Sequence, residues 1–231
     1  MRSVEAVCFD LDSTLCIRNQ SDEAIHQAVF RRAGIEPLFS PADLRAVNST
    51  AVASAESDAE FYANLYRAAI RTHTSDLDPT VLSELGQITT EVIDESDVSF
   101  RNGANEALEY VRERYRVGLI TNGAETTQRQ KLQTLGIPDA FDVTVFGHPA
   151  NGVAPKPASE PFEIALRRLE AQPESTVYIG DNYHADVVGA HDVGIQSVWV
   201  PRGRSHHTPS ENPNPAPTHR LDSLSQLLEI L

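Results

Sequence analysis

The sequence is short of lysine, cysteine and long apolar runs, and each shortage excludes a class of protein. No stretch approaches the ~20 consecutive apolar residues of a membrane-spanning helix, and the first residues lack the apolar segment of a secretory signal. The two cysteines, Cys8 and Cys16, are too few for a disulfide framework and form no Cys-x-x-Cys pair. We therefore expect a cytoplasmic protein with reduced thiols and no membrane partner.

Positive charge is scarce as well. The chain has 33 acidic and 19 basic residues and a formal net charge of -14. Nucleic acids and anionic membranes bind basic surfaces, so we expect neither as a partner. Only Lys131 and Lys156 are lysines. An acidic, lysine-poor chain is typical of a salt-rich cytoplasm, where 1 M salt screens charges within about 3 Å, although a genomic preference for arginine codons gives the same composition.

Short apolar runs predict an α/β fold. The runs cover residues 4–9, 117–120, 143–146, 177–179 and 198–200, and helical patterns at 125–135, 159–169 and 185–193 separate the later ones. Strands that alternate with helices form right-handed βαβ units. We therefore predict a Rossmann-like three-layer core with a mainly parallel sheet.

A long helical stretch separates the first run from the others. Residues 21–94 contain no strand candidate but four amphipathic helical patterns, two of which begin at a Ser57 capping box and at Asp78-Pro79. The 231 residues suit one core with a substantial insertion, at about 150 residues per domain. We predict an inserted all-helical cap at 17–98, a core formed by 1–16 and 99–231, a proline-rich connector at 202–218 and a final helix at 221–231.

Polar segments follow four of the predicted strands. The carboxyl ends of parallel strands meet at one edge of a sheet and form the ligand crevice there. The segments are Asp10-Leu11-Asp12-Ser13-Thr14 after the first run, Thr121-Asn122-Gly123 after the second, Lys156 after the third, and Gly180-Asp181 with Asp186 after the fourth.

The aspartates of these segments predict a divalent cation. Residues two apart on an extended segment share a face, so the carboxylates of Asp10 and Asp12 approach one small volume. With Asp181 and Asp186 added, such groups repel strongly unless a cation lies among them. Oxygen ligands favour Mg²⁺. Together with Lys156, this ion would neutralise a transferring phosphoryl group.

This ordered set of motifs resembles the haloacid dehalogenase superfamily of hydrolases, and the helical insertion resembles that family's type-1 cap. The resemblance implies that Asp10 is the nucleophile, which forms an aspartyl-phosphate, and that Asp12 is the general acid and base. It also implies that Mg²⁺ is held by Asp10, Asp181, Asp186 and the main-chain carbonyl of Asp12.

The same resemblance assigns the phosphate-binding residues. It implies that Thr121 binds the phosphoryl group, that Asn122 orients this group or the nucleophile, and that Lys156 steadies both. The sequence departs from the family pattern at Ser13, where glycine is commoner, and in the loop at 147–154, which matches the usual approach to the lysine poorly.

The predicted function is a Mg²⁺-dependent phosphomonoesterase that acts on a small phosphorylated metabolite. Thr-Asn-Gly resembles the second motif of family members that act on nucleoside monophosphates and sugar phosphates, so the resemblance favours these substrates. Phosphoglycolate phosphatase, 2-haloacid dehalogenase and phosphomutase are alternatives in the same family. The dehalogenase branch lacks the second aspartate, so Asp12 favours phosphate esters. A phospho-accepting signalling module is the alternative from another class, but such modules have adjacent acidic residues and no cap. We expect a monomer or a homodimer.

Overall fold

The strands and helices follow the predicted alternation. The computed structural model of the chain describes residues 3–47, 52–53, 55–70, 78–202 and 213–231. Its strands are β1 (Ala6–Phe9), β2 (Cys16–Arg18), β3 (Val98–Phe100), β4 (Arg116–Asn122), β5 (Val143–Gly147), β6 (Thr176–Gly180), β7 (Gln196–Trp199) and β8 (His219–Arg220). Its α-helices are α1 (Asp22–Ala33), α2 (Pro41–Ala46), α3 (Asp58–Ile70), α4 (Pro79–Val92), α5 (Ala104–Arg112), α6 (Glu125–Thr134), α7 (Ser159–Leu169) and α8 (Gly189–Asp192).

Six strands form one parallel sheet in the order β5-β4-β1-β6-β7-β8. β1 lies in the interior of the sheet, with Phe9 opposite Leu119 on one side and Ile179 on the other. The carboxyl ends of β1, β4 and β6 therefore lie next to one another, where the order of the strands reverses. The prediction of an α/β fold with a mainly parallel sheet is confirmed.

Helices cover both faces of this sheet. Side chains alternate along a strand, so Val7 and Phe9 of β1 point to one face and Ala6 and Cys8 to the other. The first pair belongs to a buried cluster with residues of α5 and α6, and the second to a cluster with residues of α7 and α8. Because β1 is covered on both faces, all four of its residues are apolar and buried.

The helices α1 to α4 belong to a second compact unit, which takes in the described residues of Asn19–Asp97. Side chains cap their first turns: Ser21 accepts a hydrogen bond from the Ala24 amide, and Asp78 accepts one from the Thr80 amide. One apolar stripe of each longer helix enters a separate buried cluster, which includes Val29, Phe30, Tyr66, Leu82 and Leu85.

A two-stranded antiparallel ribbon carries the chain out of the first unit and back into it. β2 pairs with β3, with Cys16 opposite Phe100 and Arg18 opposite Val98. The first unit therefore keeps residues up to Arg18 and resumes at Val98. The sequence did not predict this ribbon, because three-residue strands are too short to show a period.

The C-terminal segment differs from its prediction. In place of a helix over 221–231, the structure has a 3-10 helix at Leu224–Glu229, which Ser223 caps. Leu224 and Leu227 are both buried, and a spacing of three matches the 3-10 period. Most of the predicted connector, residues 203–212, lies outside the described residues. In the described part of the chain, no helix is both long enough and apolar enough to cross a bilayer.

Gly118 provides a test of the central packing. It lies opposite Cys8 in the β1–β4 pair, and a Cβ atom added there would lie 2.7 Å from Cys8 Sγ and 3.1 Å from Leu169 Cδ1. We expect Gly118→Ala to lower the free energy of unfolding by about 1–3 kcal/mol because the packed core must shift. Urea denaturation measures this change.

The control for Gly118→Ala is its combination with Cys8→Ala, which removes the clashing sulfur. The double variant should recover part of the lost stability, so the two changes should not be additive. If the changes in unfolding free energy of the two single variants simply add, then the contact with Cys8 is not what restricts residue 118 to glycine.

Candidate active site

Asp10 directly follows β1 and lies at the centre of the candidate site. Its carboxylate is buried, and each oxygen has one donor: Lys156 Nζ lies 2.8 Å from Oδ1, and Thr14 Oγ1 lies 2.9 Å from Oδ2. A tight turn brings Thr14 back towards Asp10, because the amides of Thr14 and Leu15 both donate to the carbonyl of Leu11. Ser13 occupies the left-handed region in this turn, at φ 63°, which explains why glycine is favoured at its position.

Lys156 has a buried ammonium that contacts three groups. Its Nζ lies 2.8 Å from Asp10 Oδ1, 2.8 Å from Asp186 Oδ1 and 2.6 Å from the Tyr178 hydroxyl. Burial alone would lower the pKa of Lys156, but the charges of Asp10 and Asp186 raise it above its ordinary value. Lys156 therefore remains a cation, and its three N–H groups match its three partners.

Asn122, the last residue of β4, holds the main chain of Lys156. Its Oδ1 accepts a hydrogen bond from the Lys156 amide at 2.8 Å, and its Nδ2 donates to the Lys156 carbonyl at 3.0 Å. Lys156 lies in a loop between two prolines, where no strand or helix fixes the backbone. The paired hydrogen bonds from Asn122 therefore fix the position of the Lys156 backbone, from which its side chain extends to Asp10.

Three carboxylates form a cluster with the geometry of a metal site. Asp10, Asp181 and Asp186 each offer an oxygen, and these oxygens lie within 4.8 Å of one another. Burial is the main cause that raises the pKa of Asp10 to about 6 and that of Asp181 to about 8; the negative charge of Asp186 contributes to both increases, and the positive charge of Lys156 opposes them. Hard oxygen ligands that repel one another suit Mg²⁺, which binds carboxylates and retains waters.

The end of β6 is shaped to hold Asp186. A Cβ atom added to Gly180 would lie 2.3 Å from the Asp186 carboxyl carbon, so only glycine allows this close approach. The Asn182 amide donates to Asp186 Oδ2 at 2.8 Å. Asp186 lies in a π-helical segment, Tyr183–Val188, followed by the short α8, where the sequence predicted one helix at 185–193. Such π turns are frequent at functional sites.

Asp12 contacts two residues of α6 that the sequence interpretation missed. Lys131 Nζ lies 2.9 Å from Asp12 Oδ1 and 3.0 Å from Oδ2, and Gln128 Nε2 lies 2.8 Å from Oδ2. Gln128 also donates to the hydroxyl of Thr121 at 2.5 Å. A signal was available, because Lys131 is one of two lysines in the chain and lies three residues after Gln128 on a helix. Tyr178 was missed because it lies inside an apolar run.

The comparison with protein families decides the relationship. Residues 4–194 match the family model of haloacid dehalogenase-like hydrolases. The chain belongs to this hydrolase family. The resemblance inferred from the motifs is therefore confirmed, and with it the conclusion that the protein is a hydrolase.

Two relatives of this haloacid dehalogenase-like hydrolase carry the same name. Pyrophosphatase PpaX of Bacillus cereus strain B4264 is 35% identical over 126 residues, which are 53% of this chain and 55% of that protein. Pyrophosphatase PpaX of Bacillus cereus strain G9842 is 26% identical over an alignment of 239 positions, gaps included, which covers 99% of this chain and 96% of that protein. The stronger identity is thus limited to about half of each chain.

Solved structures share the fold over the full length. The HAD-hydrolase YfnB of Bacillus subtilis, bound to magnesium, has a TM-score of 0.73 at 21% identity and covers 100% of this chain and 99% of its own. A predicted phosphoglycolate phosphatase of Haemophilus somnus has a TM-score of 0.76 at 17% identity, with coverage of 100% and 99%. At these identities the comparison establishes the fold of the hydrolase.

The carboxylate cluster predicts how pH and Mg²⁺ affect stability. The pKa values of Asp10 and Asp181, about 6 and about 8, lie above the ordinary 3.8, so between about pH 4 and pH 8 these two groups bind more protons in the folded protein than in the unfolded chain. Without divalent cations, these groups should make the Tm fall as the pH rises. Because Mg²⁺ binds the deprotonated carboxylates, it should raise the Tm more at pH 8 than at pH 5.

Thermal unfolding in EDTA and in excess Mg²⁺ measures this difference. The Asp181→Asn variant is the control, because it removes the group with the higher pKa and one proposed ligand, and should show a smaller Mg²⁺ effect at both pH values. A Tm increase of equal size at both pH values in the unaltered protein would contradict this account of the cluster.

Proposed function

We propose that the chain is a Mg²⁺-dependent phosphomonoesterase that acts on a small phosphorylated metabolite through an aspartyl-phosphate on Asp10. The observation that carries this proposal is the position of Asp10: it lies within a cluster of three carboxylates whose oxygens are within 4.8 Å of one another, and 2.8 Å from the Lys156 ammonium. A buried nucleophile beside a cation site and a fixed positive charge is suited to phosphoryl transfer.

The proposed reaction has two steps. The Asp10 carboxylate attacks phosphorus, the bond from phosphorus to the leaving oxygen breaks, and this oxygen takes the proton of the Asp12 carboxyl group. Asp12 then accepts a proton from the water that attacks phosphorus, which releases phosphate and restores Asp10. Asp10, Asp181, Asp186 and the main-chain carbonyl of Asp12 would hold Mg²⁺. The bound ion would neutralise the charge on the phosphoryl oxygens.

The exposure of the two aspartates supports their different roles. The Asp12 side chain is 47% exposed and the Asp10 side chain 10%. An acid and base must exchange protons with water and with the leaving group, whereas a nucleophile that forms an aspartyl-phosphate is better shielded from water. The half-exposed Asp12 suits the first role and the buried Asp10 the second.

The phosphate-binding roles are proposed on their contacts. Thr121 has a buried hydroxyl at the end of β4, and we assign it to a phosphoryl oxygen. Lys156 steadies Asp10 and the phosphoryl charge. The amide of Asn122 binds the main chain of Lys156 on both sides, so we propose that Asn122 assists phosphate binding by holding that lysine.

The substrate class is proposed from the motifs and the relatives together. Nucleoside monophosphates and sugar phosphates remain favoured. The 35% identity to a pyrophosphatase over 126 residues makes inorganic pyrophosphate a second candidate, and the H. somnus relative adds phosphoglycolate. A panel of these compounds with and without Mg²⁺ ranks them. Release of halide from a 2-haloacid, or stable phosphorylation without turnover, would instead support the dehalogenase or signalling alternative.

The setting of the enzyme is part of the proposal. Cys8 and Cys16 are both free and buried, and burial raises the pKa of the Cys8 thiol to about 12, which suits a reducing cytoplasm. The net charge of -14 suits a salt-rich one, since high salt screens repulsion between carboxylates. Sedimentation in low and molar KCl would distinguish a monomer from a homodimer and show whether salt keeps the protein folded.

Substitutions of the two aspartates of the first motif should impair different steps of the reaction. Asp10→Asn removes the nucleophile, so turnover of p-nitrophenyl phosphate should vanish. Asp12→Ala keeps the nucleophile and removes the proton donor and base, each typically worth about 10²–10⁴ in rate. Because p-nitrophenolate needs little protonation, Asp12→Ala should give a small burst and a mass increase of one phosphoryl group on Asp10. Stopped-flow absorbance and mass spectrometry of quenched enzyme measure these outcomes.

The exposed Asp192 of α8 provides the matched control, because Asp192→Asn removes a carboxylate of the same unit outside the site. This variant should keep the unaltered rate. If Asp12→Ala turned over at the unaltered steady-state rate, Asp12 would not be the acid and base.

A further inference from the structure

Helix α6 buries polar side chains where a surface helix normally buries apolar ones. Its buried residues are Gln128, Lys131 and Leu132, which lie three and four positions apart and so share one face. The Lys131 side chain is only 6% exposed. A buried ammonium is costly unless it is paired, so this position needs a partner of opposite charge.

That partner is Asp12, and the contact fixes the orientation of its carboxylate. Lys131 Nζ lies nearly equidistant from the two oxygens, at 2.9 and 3.0 Å, and Gln128 Nε2 lies 2.8 Å from Oδ2. These donors restrict rotation of the carboxylate about its Cβ–Cγ bond. The Asp12 side chain is nevertheless 47% exposed, so its free side remains open to solvent.

Gln128 also ties this arrangement to the second motif. Its Nε2 lies 2.5 Å from Thr121 Oγ1 and 3.1 Å from the Asn122 carbonyl oxygen. One amide therefore sets the distance between Asp12 and the hydroxyl of Thr121. An acid that must reach the leaving oxygen while Thr121 holds the phosphoryl group requires such a fixed distance.

We propose that Lys131, supported by Gln128, is a positioning residue that holds the Asp12 carboxyl group for proton transfer to the leaving oxygen and from the attacking water. This inference rests on the proposed function and extends it to Lys131, whose ammonium contacts the Asp12 carboxylate. The proton moves from Asp12 to the leaving oxygen and later returns to Asp12 from water, while Lys131 keeps its own protons.

Stability and catalysis should respond differently to the loss of Lys131. Removing one partner of an ion pair is costly where the remaining charge stays buried and unpaired, but the Asp12 side chain is 47% exposed and is hydrated without its partner. Lys131→Met should therefore leave the Tm nearly unchanged. It should slow the steps that need proton transfer, because the carboxyl group is no longer held in place.

The experiment compares leaving groups. For an alkyl phosphate, whose alkoxide must be protonated, Lys131→Met should lower kcat about 10–100-fold, part of the usual range for an acid or base, with little change in KM. For p-nitrophenyl phosphate, the burst rate should fall less than about 3-fold, since little protonation is needed. Hydrolysis of the intermediate should slow, so phosphorylated Asp10 should accumulate and be detected by mass spectrometry.

Two further variants isolate the cause. Lys131→Arg keeps the charge and should restore part of the alkyl phosphate rate. Arg129→Met removes an exposed cation from the same helix, where Arg129 pairs with Glu125, and should behave as the unaltered enzyme. If Lys131→Met does not fold, Lys131→Gln, which keeps one donor on a neutral side chain, should show the same dependence on the leaving group.

The outcomes separate this inference from the proposed function. An unaltered enzyme that hydrolyses no phosphate ester in Mg²⁺ refutes the proposed function, and this inference falls with it. An active enzyme in which loss of Lys131 slows both substrates equally, without accumulation of phosphorylated Asp10, overturns only the positioning role. Equal effects of Arg129→Met and Lys131→Met would also overturn it.

Discussion

The ion pairs of Lys156 with Asp10 and Asp186 are the interaction on which the site depends. Three carboxylates whose oxygens lie within 4.8 Å would repel one another in a buried space. The ammonium lies 2.8 Å from two of them and offsets part of that repulsion before any metal binds. The Tyr178 hydroxyl accepts a hydrogen bond from the third N–H group. Each N–H donor of Lys156 therefore has a partner, and the position of the ammonium is fixed.

The parallel sheet supplies the geometry that this ion pair requires. β1, β4 and β6 are neighbours, so Asp10, Asn122 and Asp181 leave the sheet side by side, although more than a hundred residues separate the first from the others. Lys156 comes from a loop, and the double hydrogen bond from Asn122 connects this loop to the rigid end of β4. The two lysines divide the first motif between them, since Lys156 binds Asp10 and Lys131 binds Asp12.

The sequence predicts the strands and residues that can be recognised within a short segment of chain. Apolar runs predict strands, and the rule that ligands bind at the carboxyl ends of parallel strands selected Asp10, Thr121, Lys156 and Asp181. It did not reach contacts that depend on side-chain direction. Lys131 meets Asp12 across 119 residues of chain. The rarity of lysine distinguishes Lys131, but nothing local to α6 identifies Asp12 as its partner. The role of Asn122 was hidden for the same reason, because its partner is main chain.

The antiparallel pairing of β2 with β3 has a consequence for how this architecture can vary. Cys16–Arg18 and Val98–Phe100 are paired, so the two points where the inserted segment joins the core are about one strand spacing apart, roughly 5 Å. The ribbon therefore requires that the two ends of the inserted segment lie about one strand spacing apart. A shorter loop or a module of another fold could occupy this place while the register of the sheet stays intact. The ribbon is therefore a fixed attachment point, so that the amino-acid sequence of the inserted segment can change without a change in the core.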